Sequence, residues 1–382
     1  MEIIEAISDT NIGGAGVLLA TRLNSDKKMR AKTIVVLPRG SALVERMKKI
    51  GVKTVEIDTC ADKSFQLSAI PKYVRLIRFY KPHTVNCHGC LSFRIAAFLC
   101  GVPVRIYTRH CTFPLKGWQK LKVIKLFVGA VQCILSNGII AVAEAAKNDL
   151  VEMGIPASKI RVIINGVSGM TQLDEKQRAE IRRDLSIASD STVVGIFARL
   201  EEYKGHRDLI EAADILLKCT EKYRFLIVGS GSCEEKLKNM CKEKGIDKYF
   251  VFSGFVNDVT KLLNITDINV NCSCGTETSS LSLSEGMSIG IPSIVSDYGG
   301  NPYMVEDGVN GFVYPIGDCK RLAALIKRLS EDSYLWKKLS QNAYIRFERE
   351  LNSKKMTEAT YKYYTQLRSV SFGVPSDSFQ NS

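Results

Sequence analysis

Short apolar runs alternate with longer amphipathic stretches along almost the whole chain. Strands are predicted at 2–7, 33–37, 54–57, 84–87, 104–108, 139–142 and 160–164. A second set is predicted at 193–198, 225–228, 250–253, 268–272, 293–296 and 312–314. Between them, apolar residues recur at three- and four-residue spacing, the period of a helix with one buried face. Strands too apolar to leave a face in water, each followed by a helix, predict parallel sheets covered on both sides. The alternation is interrupted after Asn165-Gly166, where the sequence is polar from Ser168 to Arg183. The fold class is therefore α/β, with two doubly wound, Rossmann-like domains at 1–168 and 169–352. A last helix is predicted at about 353–369, and the weakly anchored residues 370–382 are expected to be disordered.

In such sheets ligands bind at the carboxyl ends of strands, which directs attention to what stands there. The first strand runs into the loop Ser8 to Gly16, where Gly13-Gly14 precede a helix. The spacing is neither that of a P-loop nor that of a dinucleotide fingerprint. His88 and the pair Arg109-His110 also fall at strand ends, and His110 beside Arg109 is a candidate cleft residue. In the second series, one strand-end loop carries Arg199 and Lys204, a planar fork and a point charge suited to a diphosphate. Gly229-Ser230-Gly231 turns into a helix, and Gly254-Phe255 ends the strand at 250–253.

The richest stretch is 267–297: a strand, a small-residue loop, a helix at about 281–289 and another strand. Ser279 and Ser280 stand where the first N–H groups of that helix, near Leu281, point outward, an arrangement that favours an anion. Glu277 and Glu285 frame it with seven residues between them. Carboxylates there would oppose an anion by direct contact, but each can accept hydroxyl hydrogens on either side of it. Hydroxyl, phosphate, hydroxyl is the outline of a sugar nucleotide.

The chain has 382 residues, 45% of them hydrophobic, and no apolar run long enough to span a bilayer. The acidic start MEIIEAISD lacks the bases of a signal peptide, so a cytoplasmic protein is expected. Twelve cysteines without framework spacing suit reduced thiols. Cys87-His88-Gly89-Cys90 has no second CxxC to complete a zinc site, and Cys272 and Cys274 read as small core residues. A net charge of +13 implies an acidic partner. Leu121, Ile124, Val128, Val131 and Leu135 form an expected core stripe on a helix over about 115–135, flanked by Lys116, Trp118, Lys120, Lys122 and Lys125. These bases, with Lys72, Arg75, Arg78 and Lys81, read either as a solvated face or as contacts to an anionic membrane. A nucleic-acid partner has only the charge in its favour, and no motif supports it.

Taken in order, these residues resemble glycosyltransferase family 4, a retaining, metal-independent group with the GT-B fold. The resemblance covers nearly the whole chain. It is carried by Gly13-Gly14, His110, the segment 160–167 (IRVIINGV), Arg199 with Lys204-Gly205, Gly229 to Gly231, Glu277 with Glu285, and Gly299-Gly300, Asp307-Gly308 and Asn310-Gly311. It implies two domains facing a central cleft, with nucleotide held by the second and acceptor offered by the first. It also implies that His110 faces the donor sugar, that Glu277 orients sugar hydroxyls, that Glu285 binds the ribose, and that the last helix crosses back onto the first domain. Thr278-Ser279-Ser280 departs from the family's Gly-Phe-Gly, and Tyr303 replaces a Glu, which leaves the sugar open. On family frequency the donor is a UDP-sugar; the acceptor is a saccharide, or a lipid-linked saccharide met by a peripheral protein at the inner face of the plasma membrane.

Breaking the donor's glycosidic bond builds negative charge on the leaving phosphate, which a metal or fixed donors must stabilise. The chain contains no Asp-x-Asp, the usual metal motif of the other transferase fold, so Arg199, Lys204 and the amides near Ser280 and Leu281 are assigned that work. No cofactor and no metal are expected. No general base is assigned; in the family the leaving phosphate is taken to accept the acceptor's proton. A sugar-nucleotide epimerase on the same fold and a non-catalytic membrane-surface scaffold are the alternatives. The first would convert donor alone; the second would bind lipid and ignore nucleotide.

Overall fold

Thirteen of the apolar runs form strands, in two sheets. The computed structural model describes residues 3–11, 13–59, 62–110 and 121–372. The chain divides into two units, one from the residues up to Gly166 together with the chain from Ser353 onward, the other Val167–Asn352.

The first unit holds β1 (Ile3–Ile7), β2 (Thr33–Pro38), β3 (Lys53–Ile57), β4 (Thr84–His88), β5 (Val104–Arg109), β6 (Gly138–Ala141) and β7 (Ile160–Val162). All pairings are parallel, in the order β3-β2-β1-β4-β5-β6-β7. Every residue of β1, β2, β4 and β6 is buried, as expected of strands covered on both faces. Side chains alternate across a strand, so Ile4 and Ala6 enter a core with Tyr73, Ile77 and Phe93 from the helices Ile70–Tyr80 and Leu91–Leu99. Glu5 faces the opposite way, toward the helix Gly14–Ser25 and the long C-terminal helix Ser353–Phe372 packed against it.

That C-terminal helix runs past the predicted end at 369 to Phe372, so residues 370–372 are helical rather than disordered; residues 373–382 of the expected tail lie outside the described residues. Tyr363 donates to the carbonyl of Lys159 at 3.1 Å, and both Tyr363 and Leu367 fill the space beside Gly138, where a Cβ would collide with them.

The helix Lys122–Leu135 corrects the expected core stripe. It buries only Gly129 and Leu135, while Leu121 and Val128 are exposed and Phe127 is 70% exposed. Gly129 explains the geometry: a Cβ there would lie 2.0 Å from the carbonyl oxygen of Met153, so the helix approaches its neighbour closely at that point. Much of its apolar surface is left in water. Lys116, Trp118 and Lys120 lie outside the described residues.

The second unit holds β8 (Thr192–Phe197), β9 (Tyr223–Val228), β10 (Phe250–Gly254), β11 (Ile268–Asn271), β12 (Ser293–Ser296) and β13 (Gly311–Tyr314). These are again all parallel, in the order β10-β9-β8-β11-β12-β13. One face packs Ile196, Leu209, Phe225, Ile268 and Leu325; the other packs Val193, Leu226, Leu263 and Ile291. In each sheet the strand order reverses once, between β1 and β4 and between β8 and β11. Loops on either side of such a switch point diverge and leave a crevice.

Candidate active site

At the switch point of the second unit, the chain leaves β8 through Arg199 and reaches a single turn of 3-10 helix, Glu202–Lys204. Gly205 ends that turn at φ +67°, and a Cβ there would lie 2.0 Å from the carbonyl oxygen of Cys272. Only glycine tolerates both the left-handed backbone and the approach. The loop after β8 is thereby pressed onto the end of β11, and Lys204 Nζ meets Glu277 Oε2 at 2.8 Å. The same oxygen accepts from Asn271 Nδ2 at 3.2 Å and from Ser273 Oγ at 2.9 Å. Glu277 is 7% exposed, a buried acid rather than a surface one. Three donors on one oxygen compensate the burial of the charge.

Beneath Glu277 lies a buried polar layer that sequence reasoning missed. Asn301 Nδ2 donates to Ser296 Oγ at 3.0 Å, and Ser296 Oγ donates to the Ser273 carbonyl at 2.6 Å. Gly300 N–H donates to the Glu277 carbonyl at 3.1 Å. A Cβ on Gly300 would fall 1.7 Å from the Thr278 carbonyl oxygen, so Gly299-Gly300 brace the backbone that carries Glu277. Buried Ser, Asn and Gly near a strand end were the available signal.

The other predicted residues of this unit are on loops or short elements at the same carboxyl end. Arg199 is exposed, with its guanidinium 5.7 Å from the centre of the Tyr203 ring. Gly229 N–H donates to the Gly254 carbonyl at 2.9 Å, tying the loops after β9 and β10, and Phe255 is 71% exposed beside them. The helix after Glu277 is Leu281–Met287. Its Ser280 does not cap it but pairs with Ser282 Oγ at 3.1 Å, and the buried Ser279 Oγ has no partner among the described residues. Glu285 is half-buried on that helix. His206, next to Lys204, is 2% exposed; burial, then the Lys204 charge, lowers its pKa to about 4. Cys272 is buried as expected, whereas Cys274 is exposed.

In the first unit the loop after β1 brings Gly13 to the N-cap of the helix Gly14–Ser25, and a Cβ on Gly14 would meet nothing within 4 Å. His110 follows β5 directly, and its Nε2 lies 2.7 Å from His88 Nδ1. His88 Nε2 lies 2.9 Å from Glu5 Oε2. Glu5 is fully buried and also pairs with Arg22 at 2.6 Å and accepts from the Tyr364 hydroxyl at 2.9 Å. Burial alone would raise its pKa. The Arg22 charge and the hydrogen bonds from His88 and Tyr364 overcome it and hold the carboxyl down to about 2. Burial, then the nearby His88 and Arg22 charges, push His110 well below the ordinary imidazole value. Cys87 turns away, donating to the Cys90 carbonyl at 3.0 Å, and both thiols are buried. Among the described residues no cluster of His, Cys, Asp and Glu forms a metal site, and no helix is long and apolar enough to cross a membrane.

Two family models divide the chain between them. One, described as Glycosyltransferase Family 4, matches residues 12–168; the other, described as Glycosyl transferases group 1, matches 177–346. EpsD of Bacillus subtilis, which carries the name of a glycosyltransferase, is 26% identical over 279 residues, 70% of this chain and 72% of its own. An Escherichia coli protein named UDP-Gal:alpha-D-GlcNAc-diphosphoundecaprenol alpha-1,3-galactosyltransferase is 24% identical over 316 residues, 81% of this chain and 77% of its own. Among solved structures, Anabaena HepE in complex with UDP matches with a TM-score of 0.83 at 19% identity, covering 96% of this chain and 100% of its own.

Proposed function

Because the chain belongs to glycosyltransferase family 4, an enzyme family of the GT-B fold, we propose that it moves a sugar from a UDP-sugar to a saccharide or lipid-linked saccharide, with retention and without a metal. The product belongs to surface polysaccharide or glycoconjugate synthesis. The observation that carries this reading is the convergence of Lys204, Glu277 and the loop to Ser280 at the switch point of the second sheet. An ammonium has three hydrogens, and Lys204 commits one to Glu277, which leaves two for the donor's diphosphate. Arg199 adds a second fixed cation, and the Ser279 hydroxyl and the amides of Ser280 and Leu281 add neutral donors. Together they stabilise the charge that develops on the leaving phosphate, the task a metal performs elsewhere. Glu277, anchored through Oε2, orients sugar hydroxyls, Glu285 holds the ribose, and Gly229, Gly254 and Phe255 border the nucleotide. Gly13 and Gly14 of the first unit are assigned to donor binding and His110 to catalysis, the roles that the resemblance implies. UDP is favoured because HepE was solved with it and the Escherichia coli relative is named for UDP-Gal and a diphosphoundecaprenol-linked sugar.

A thermal-shift panel of UDP, GDP, ADP and their common sugar conjugates, with EDTA and then with magnesium, tests the reading. A hundredfold excess over Kd stabilises by about 2.7 kcal/mol, so a UDP shift unchanged by EDTA is expected. Dependence on magnesium would overturn the metal-free assignment. A shift with GDP or ADP alone would overturn the base. No shift at all would leave the scaffold reading, and conversion of donor alone to another sugar nucleotide would leave the epimerase.

The acceptor's lipid suggests where the protein works. The helices Ile70–Tyr80, Leu91–Leu99 and Lys122–Leu135 pack in succession on the first unit. Between them they expose Phe79, Leu99, Val123, Leu126 and Phe127 together with Lys72, Arg75, Arg78 and Lys122. Apolar rings and bases on one run of helices fit an anionic bilayer surface. Co-sedimentation with phosphatidylglycerol vesicles, lost on Phe127→Glu and absent with neutral phosphatidylcholine, is the expected result. Equal binding to both, or none to either, would refute it.

A further inference from the structure

Arg199, Lys204 and Glu277 stand at the carboxyl ends of the second unit's strands; a cavity of about 760 Å³ opens at the amino ends of the same sheet. It is lined by Asp267, just before β11, by Ile291, just before β12, and by Ile187 and Ser189 on the chain leading to β8. The helices Glu175–Asp184 and Ser333–Arg346 contribute the rest of its polar wall. The volume is within the range of about 300–1,000 Å³ usual for ligand clefts. A second cavity of about 330 Å³ shares Arg182, Ser189, Asp267 and Trp336 with the first and adds Lys337, so the two form one groove that passes Trp336. Asp267 holds this groove in shape. Its Oδ2 accepts from the Val193 N–H at 2.7 Å and from Arg182 Nη2 at 2.9 Å, and its carbonyl accepts from Trp336 Nε1 at 2.8 Å. Arg182 also donates to the carbonyls of Ser191 at 2.9 Å and Ile265 at 3.3 Å. Its guanidinium is thus engaged within the fold, and the half-buried indole is fixed at its nitrogen. Arg178 and Arg183 differ: both are exposed, and their guanidiniums form no hydrogen bond or ion pair among the described residues.

We propose that this groove binds an anionic oligosaccharide, with sugar rings along the indole of Trp336 and acidic groups on Arg178 and Arg183 to one side of it and on Lys337 to the other. The choice of a saccharide rests on the reading of the chain as a transferase that builds surface polysaccharide; the groove itself does not. Charge sets the sign of the ligand. Among the lining residues Arg178, Arg183 and Lys337 are unpaired cations, and they face one unpaired acid, Glu175. An indole offers a large apolar face suited to the apolar face of a sugar ring, and guanidiniums offer forks for carboxylate or sulfate. Continuity past Trp336 favours a chain of residues over a single one. An extended peptide is disfavoured because β8, β11 and β12 are inner strands of the sheet and present no open edge to pair with. The six residues of β8, at about 3.3 Å each, place the groove roughly 20 Å from the loop that carries Lys204. A polymer held there stays near the enzyme between transfers, which raises the effective concentration of its growing end.

The test uses the full-length protein carrying Trp118→Phe, which leaves Trp336 as its one tryptophan. Its fluorescence is titrated with hexagalacturonate and a heparin hexasaccharide, and with maltohexaose, monomeric galacturonate and hexaglutamate as comparisons. A saturable change with at least one of the two anionic hexasaccharides is expected, weakening as salt is raised. Arg178→Ala combined with Arg183→Ala should raise that Kd by on the order of tenfold or more, since hydrogen bonds to charged groups are lost. Both side chains are exposed, so the double variant should keep the wild-type circular dichroism and the wild-type UDP thermal shift. Binding by neither hexasaccharide, or equal binding by the double variant, overturns the inference. So does equal affinity for maltohexaose, which removes the charge, for galacturonate, which removes the extended groove, or for hexaglutamate, which removes the saccharide. A UDP shift without hexasaccharide binding leaves the transferase reading standing and the groove refuted. Hexasaccharide binding that the double variant loses, with no UDP shift in wild type, leaves the groove standing and the transferase reading refuted.

Discussion

Removal of the Lys204 ammonium separates a catalytic pair from a merely structural one. Lys204 Nζ and Glu277 Oε2 are 2.8 Å apart, with side chains 15% and 7% exposed. Removing one partner of a fully buried pair costs about 3–5 kcal/mol. Here the carboxylate keeps Asn271 and Ser273 as donors to the same oxygen, and the ammonium is not fully dry. Lys204→Met is therefore expected to lower the unfolding free energy by only about 1–2 kcal/mol. Loss of one fixed donor to a developing oxyanion costs on the order of 10²–10³ in rate, about 2.7–4 kcal/mol of transition-state stabilisation. The activity loss should exceed the stability loss. Glu277→Gln keeps an acceptor for Asn271 and Ser273 but leaves Lys204 without its countercharge, so the cycle through the double variant should show a coupling of about 1–2 kcal/mol in stability. Urea unfolding at pH 7 measures one quantity and UDP release from the active UDP-sugar the other. If Lys204→Met turns over within a few-fold of wild type, or loses more stability than activity, Lys204 serves only to neutralise a buried carboxylate and the reasoning is refuted.

Three further outcomes follow from the buried groups. His206, neutral in the folded chain with its pKa down to about 4, lies below its unfolded value; the unfolded chain takes the proton first, and stability is lost as pH falls from about 6.5 to about 4, by about 3 kcal/mol in all. Urea midpoints of His206→Gln should vary less than those of wild type across that window. Glu5 has a depressed folded value of about 2, so its contribution is present above the ordinary carboxylate range and is lost as pH falls through it toward 2. Tyr364→Phe removes one donor to Glu5 and one acceptor for Arg22, and should cost about 1–3 kcal/mol in urea unfolding at pH 7. Gly300→Ala places a Cβ 1.7 Å from the Thr278 carbonyl oxygen. Its circular dichroism should match wild type while the UDP thermal shift disappears.

How far the sequence could be read depends on whether a signal is local. Parallel strands buried on both faces announce themselves as short apolar runs, and the loops at their ends follow, which is why Arg199, Lys204, Glu277 and His110 could be named in advance. That Lys204 and Glu277 form a pair could not, because it depends on Gly205 letting one loop press against Cys272 of another strand. The chain Glu5–His88–His110 was half legible. An acid inside an apolar strand and an arginine among Leu18, Leu19 and Leu23 are both out of place, and each implies a partner. The partner that locks them, Tyr364, lies 359 residues from Glu5, and no local pattern points to it. The helix Lys122–Leu135 fails for the opposite reason. Its apolar residues look like core, but hydrophobicity records only that a side chain avoids water, not whether its own domain or another surface removes it from water. A helix apolar on more sides than its domain can cover is the physical mark of a binding face, and here Gly129 and Leu135 are the only residues of it that the domain buries. The misread core stripe and the proposed membrane surface thus rest on one observation: the fold leaves Phe127 and Val123 exposed, and it is that exposure, with the bases beside it, that the proposal of an anionic membrane explains.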